Sequence, residues 1–310
     1  MIVDYSARST IADTYLLPLS DGQAWRIMAA EGVKEWVDRL ARIMGLSKCE
    51  SNEYPRLIFI WNKSFAVNGS ELISRLNSDL KKGFPLEGWN PWNYSYLRLW
   101  SHPEVEDVVC EIWPVKGTEQ DILRMRSSLQ PVYQKAQDAG GLPLHAALVK
   151  RKGMGVMLAG PKNTGKSTCC RRIPRPWYAL SDEETLIVLS DENGYMAHPF
   201  PTWSDYLTKR SNRTWKVHSH IPLSSIFFLE QSDTDAVTPI GRGEAAVFIY
   251  QSAMQVCYRY FTHLDFKQVR TRKETLFENA CELAKTVPAF KLRVTLKGRF
   301  WEKMGSVFPK

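Results

Sequence analysis

Two strand-like runs, HAALV at 145–149 and GVMLA at 155–159, are separated by only the turn-like residues KRKGM, and the second runs straight into the loop GPKNTGKST at 160–168. Parallel neighbours need a crossover of about a dozen residues or more, so this pair can form only an antiparallel hairpin. After the loop comes a short helical stretch, STCCRRI, that stops before Pro174. A strand-like run at 185–190, the turn DENG and a further run at 195–198 then predict a second hairpin. The expected fold class is therefore α/β of the α+β kind, with the loop carried on a mixed, hairpin-rich sheet. A GTPase-like sheet would instead separate its strands by long helices.

Within the loop, Gly160, Gly165, Lys166 and Ser167 satisfy the pattern GxxxxGK[ST]. Such glycines let the backbone fold around phosphate oxygens with N–H groups turned inward, the lysine reaches the β and γ oxygens, and the serine hydroxyl is a hard ligand for Mg²⁺. The expected nucleotide cradle is thus Gly160, Pro161, Lys162, Asn163, Thr164, Gly165, Lys166, Ser167 and Thr168. Downstream lies LSDEETLIV. Asp182 and Glu183 follow the loop helix by a short connection, which returns them toward the phosphates. There one carboxylate can accept a proton from an attacking hydroxyl while the other helps Ser167 to hold magnesium.

The amino-terminal third reads as a smaller α+β unit, with a boundary placed at 116/117. Residues 16–19 and 23–29 flank an SDG turn as a hairpin; Val33, Trp36, Val37, Leu40, Ile43 and Met44 recur at helical spacing; RLIFIW at 56–61 is a buried strand. A helix is expected over 69–80, a strand pair over 94–100 and 105–113, and at GWNPWN a loop whose aromatics either pack it together or grip a partner. Thr118 opens a helix that carries Ile122, Met125, Leu129 and Tyr133 on one side and is kinked at Pro131.

The formal charge of +8 favours an acidic ligand, but Lys and Arg are scattered, so nucleic acid is not expected as a partner. The six cysteines form no CxxC pair, and His218 and His220 lack a third ligand at zinc spacing. No apolar run is long enough to span a membrane and MIVDYSARST has no signal-peptide character, which together predict a cytoplasmic protein. Glu230 ends the apolar run IFFLE. His198, in AHPFPTW, either closes its hairpin or borders an acceptor site.

From 142 to 301 the blocks LHAALV, GVMLAGPKNTGKST, LSDEETLIV, IPLSSIFFLEQ, RGEAAVFIYQ and VPAFKLRVTLKGRFWE resemble, in order and spacing, the HPr kinase/phosphorylase-related kinases. The nucleotide loop of that family sits in a fold similar to the phosphoenolpyruvate carboxykinase C-terminal domain. Around CCRRIPRPWYALSDE and HPFPTWSDY the chain is most similar to the HPr-kinase-like proteins of SynChlorMet-type peptide-modification cassettes. The resemblance implies an ATP-dependent kinase acting on a serine of a ribosomally made peptide or small protein, with an amino-terminal domain that presents the acceptor, and a homo-oligomer as the assembly to test. It implies His145 near the reacting phosphate, Asp182 as general base, Glu183 where a second Asp is usual, and Arg242 as a γ-phosphate contact. Two other classes stay open at this stage: a nucleotide-gated peptide-binding module without transfer, and a small-molecule kinase.

Overall fold

A computed structural model describes residues 13–62, 66, 68–94, 97–113, 117–208 and 211–308. Residues 1–12, on which the absence of a signal peptide was read, lie outside the described residues. The first sheet is built from β1 (Thr14–Pro18), β2 (Ala24–Ala29), β3 (Ser47–Lys48), β4 (Arg56–Trp61), β5 (Asn90–Tyr94), β6 (Leu97–His102) and β7 (Val105–Ile112), in the order β3-β1-β2-β4-β7-β6-β5. It is mixed: β2, β4 and β7 run parallel, and the outer pairs are antiparallel.

Helix α1 (Lys34–Met44) buries the stripe its spacing predicts, from Trp36 to Met44. It ends at Gly45, φ 63°, where a Cβ would come within 2.6 Å of the Trp215 carbonyl oxygen. Only glycine meets both the left-handed backbone and that close approach. The chain at 215–217 hydrogen-bonds there to the helix end, Trp215 N–H to Ile43 O at 2.8 Å and Val217 N–H to Met44 O at 3.3 Å.

Two expectations in this half need correction. The helix expected over 69–80 is only α2 (Gly69–Ser74), because the Asn77 side chain accepts from Leu80 N–H at 2.9 Å and takes the backbone into a turn. Residues 90–93 of the expected loop, with Tyr94, form the edge strand β5, where Pro91 can lack a donor. Trp89 is buried, in keeping with aromatics that pack the loop together, with its indole N–H on Pro85 O at 2.9 Å.

Helices α3 (Thr118–Ser127) and α4 (Gln130–Asp138) follow, the break falling beside Pro131 in the first turn of α4. The second sheet comprises β8 (Leu142–Leu144), β9 (Ala146–Arg151), β10 (Met154–Ala159), β11 (Tyr178–Ser181), β12 (Thr185–Ser190), β13 (Gly194–Pro199), β14 (Ile221–Gln231), β15 (Ala236–Pro239) and β16 (Ala289–Val294). Both expected hairpins are present: Ala146 to Arg151 pairs with Ala159 to Met154, and Thr185 to Ser190 with Pro199 to Gly194. The spine is β14, parallel to β10 and β16 and antiparallel to β13 at its start. Around this sheet lie α5 (Lys166–Arg172), α6 (Trp203–Thr208), α7 (Arg242–Cys257), α8 (Phe266–Thr286) and α9 (Phe300–Val307). The protein is thus mixed α/β with two mixed sheets, and one hydrophobic core runs from α1 and β1 through to α7 and α8.

His198 on β13 ties the two halves together. Its Nε2 accepts from Ser20 N–H at 3.1 Å, so the ring proton sits on Nδ1 and is donated to Val217 O at 2.7 Å. Full burial drives its pKa down to about 4. A depressed histidine pKa stabilises the fold above the unfolded value near 6.5, and that contribution is lost as pH falls toward the folded value. Urea unfolding should lose about 2–3 kcal/mol from this group between pH 7 and 4.5. A His198→Gln variant should show a correspondingly flatter pH profile; equal slopes in the two proteins would refute this assignment.

Candidate functional site

The 160–168 loop leaves the carboxyl end of β10, beside the end of the parallel strand β14, and Gln231 Nε2 donates to Asn163 O at 3.0 Å. Its turn uses backbone that side chains disfavour: Gly160 at φ 151°, Asn163 at 69° and Gly165 at 102°. A Cβ at Gly165 would meet nothing within 4 Å, so the space over the start of α5 is open and the glycine is there for its backbone angle. Lys166 opens α5 and is 6% exposed. Its ammonium donates to Gly160 O at 2.8 Å and Pro161 O at 3.0 Å, and burial lowers its pKa to about 8, with Glu183 opposing the shift. Ser167 and Thr168 are half-buried on the same turn, while Pro161 and Lys162 face solvent.

The acidic run 182–184 occupies the short turn between β11 and β12. Asp182 Oδ1 accepts from the Thr202 hydroxyl. Glu183 accepts from Ser204 N–H at 2.8 Å and lies 3.3 Å from the Arg126 guanidinium. Burial raises its carboxyl above the usual range, with Arg126 opposing. Glu184, 2% exposed, is held by Arg126, by the Tyr133 hydroxyl at 3.0 Å and by the Trp203 indole N–H at 3.2 Å. Burial works against the charge on Arg126, yet Glu184 and Glu183 together hold its pKa above the ordinary value.

His145 sits at the step between β8 and β9, level with the loop because Ala146 pairs with Ala159. The clamp comes from α7: His145 N–H donates to Ser252 O at 3.1 Å and Ser252 Oγ to His145 O at 3.2 Å. Burial, and after it the nearby Lys166 charge, lowers its pKa to about 4, while the Glu183 backbone serves as a hydrogen-bond partner. The imidazole is therefore neutral at physiological pH. A hollow of about 660 Å³ opens here, lined among others by His145, Glu183, Arg126, Lys162, Tyr258 and Arg259. A larger one, about 1070 Å³, lies on the other flank of the loop between Thr164, Gly165, Arg172, Asp233 and Lys297.

The fold thus brings together Lys166, His145 and Glu183 of the expected set. Asp182 is adjacent in sequence, but its carboxylate is turned to Thr202. Arg242 is carried away. Helix α7 climbs along the sheet, with Ser252 at the His145 end and Arg242 ten residues earlier, about 15 Å down the helix axis. Arg242 instead borders a shallow pocket with Ile240 and Ala284, a placement that does not support a γ-phosphate contact. Glu230 is exposed, 3.7 Å from Arg293.

Sequence reasoning missed Arg126, Arg259 and Glu184. The third acid of DEET, standing at the head of a buried strand, was the available signal, since a buried charge requires a partner. Among the described residues, no group of three or more His, Cys, Asp or Glu side chains could hold a metal unaided, and no helix is long and apolar enough to cross a membrane.

Fold and site together define a mixed α/β protein in which a lysine-bearing glycine loop faces a turn of carboxylates. A family model, SynChlorMet cassette protein ScmC, matches residues 108–309, and the chain belongs to that family. The match spans the whole second sheet, the loop and the acidic turn. No curated protein matches the chain.

Proposed function

We propose that the protein is a cytoplasmic ATP-dependent kinase with an HPr-kinase-like, phosphoenolpyruvate-carboxykinase-like nucleotide domain, and that it transfers the γ-phosphoryl group to a serine hydroxyl of a ribosomally synthesised peptide or small protein. The observation that carries this reading is the closeness of the loop lysine Lys166 to a neutral histidine and a half-buried carboxylate, His145 and Glu183, which together line one hollow. Cassette-family membership supports the peptide part. A triphosphate fits the loop on structural grounds: the space over Gly165 is open, a buried ammonium lies beside it, and hollows flank it on both sides.

In this reading the loop amides and Lys166 hold the phosphates, with the ammonium exchanging its carbonyl partners for phosphate oxygens. Ser167 would help to hold Mg²⁺, which, when bound, neutralises charge on the transferring group; Glu183, expected from sequence as a second metal ligand, is given to proton transfer instead. As the serine oxygen bonds to the γ-phosphorus and the bridging oxygen leaves with ADP, the serine proton passes to Glu183. This carboxylate lines the hollow, and burial raises its pKa, which strengthens it as a proton acceptor. Neutral His145 donates to or accepts from the reacting oxygens without adding charge.

Incubated with labelled ATP, magnesium and the peptides encoded beside the gene, Glu183→Gln should lower transfer by about 10²-fold or more. Asp182→Asn should stay within about tenfold of wild type. The opposite ranking would move the base to Asp182. One observation favours a second reading, a nucleotide-gated peptide-binding module: both Glu183 oxygens already have partners in Arg126 and Ser204. Peptide binding that depends on ATP, with no transfer in any variant, would select it.

A further inference from the structure

The cleft between α4 and α8 takes no part in the proposed reaction. Its volume is about 570 Å³. Gln130, Gln134 and Gln137 line one wall; being spaced i, i+4 and i+7, they share one face of α4. Gln268, Thr271 and Thr275 line the other from α8, and Trp92 and Tyr260 supply flat apolar surface. Gln130 is only 7% exposed; its Nε2 donates to Gln134 Oε1 at 2.7 Å, but its own Oε1 has no hydrogen-bond partner. Gln130 Oε1 is thus a buried carbonyl oxygen without a donor in a residue of the cleft wall, an acceptor left over for a ligand N–H. At the mouth, the exposed Lys267 makes no ion pair among the described residues, whereas Arg272 is held by Asp138 at 2.5 Å.

We propose that this cleft binds an extended peptide segment carrying an acidic side chain, with a backbone N–H donated to Gln130 Oε1. Glutamine amides both donate and accept, which matches the alternating N–H and C=O of an extended backbone. The span from Gln130 to Gln137 along α4 is about 10 Å, the length of about three extended residues. Lys267 complements an acid, and Trp92 and Tyr260 accept an apolar neighbour. The back wall is shared with the reacting hollow: Tyr133 holds Glu184, and the Tyr260 hydroxyl donates to Arg126 O at 3.3 Å. A segment docked here therefore lies one layer of side chains from the acidic turn. The inference rests on the peptide nature of the acceptor in the proposed function and does not require phosphoryl transfer.

The test uses short synthetic peptides of random sequence in acidic, neutral and basic pools, mixed with the full chain and recovered by gel filtration with mass identification. The acidic pool should be retained at least about tenfold over the basic one, as a charge-assisted contact requires. Retention should fall to the basic level in Gln130→Leu and in the surface variant Lys267→Glu, and should persist in Lys166→Ala. Persistence in Lys166→Ala separates this cleft from the glycine-loop hollow, so a protein that proves unable to transfer phosphate can still pass. Retention unchanged in Lys267→Glu, retention lost in Lys166→Ala, or no pool retained at all would each overturn the proposal.

Discussion

Replacing Arg126 by methionine should destabilise the protein by about 3–5 kcal/mol, the largest effect expected of any single change among the residues that hold the carboxylate turn. Methionine keeps the aliphatic volume and removes the charge. Glu184, 2% exposed, would retain the Tyr133 and Trp203 donors but lose its cation, and Glu183 would lose its guanidinium at 3.3 Å. An uncompensated buried carboxylate costs more than the intact pair contributes, so Arg126→Met combined with Glu184→Gln should recover part of the loss. The deficit should also shrink as pH is lowered, because protonating the stranded carboxyls relieves it. Urea unfolding followed by circular dichroism measures all three, and a loss below about 1 kcal/mol in the single variant would show that the network is not held as described.

The second large effect is on chemistry. Lys166→Ala should lower phosphoryl transfer by about 10²–10³-fold, the range observed when one preorganised donor to transition-state charge is removed. The fold should survive, because the ammonium donates, among the described residues, to carbonyls of its own loop and burial already disfavours its charged form. Thermal melting with and without magnesium–ATP separates the two contributions: wild type should be stabilised by nucleotide, and Lys166→Ala much less. Equal nucleotide stabilisation in both proteins would mean that the loop does not carry the phosphates.

The parts of this protein that could be read from sequence are those set by local constraints. Five residues between two apolar runs leave only a hairpin, and helical spacing from Trp36 to Met44 leaves only one buried face. The glycine loop was legible for the same reason, since its backbone angles restrict residue choice within a few positions. What escaped was decided by distant chain segments. The glutamate of the 182–184 run that would be fully buried depended on where α3 placed Arg126. Arg242 stands at the head of α7, but the direction in which that helix crosses the sheet carries it away from the loop. Likewise GWNPWN has the residues of a loop, and only the free edge of β6 turns part of it into a strand.

The central claim is most directly tested by incubating the protein with labelled ATP, magnesium and the peptides encoded beside its gene, and measuring the intact mass of each peptide. The account predicts a gain of one phosphoryl group on a peptide serine, present with wild type and lost with Lys166→Ala. Peptides left unchanged by a protein that demonstrably binds nucleotide would contradict it.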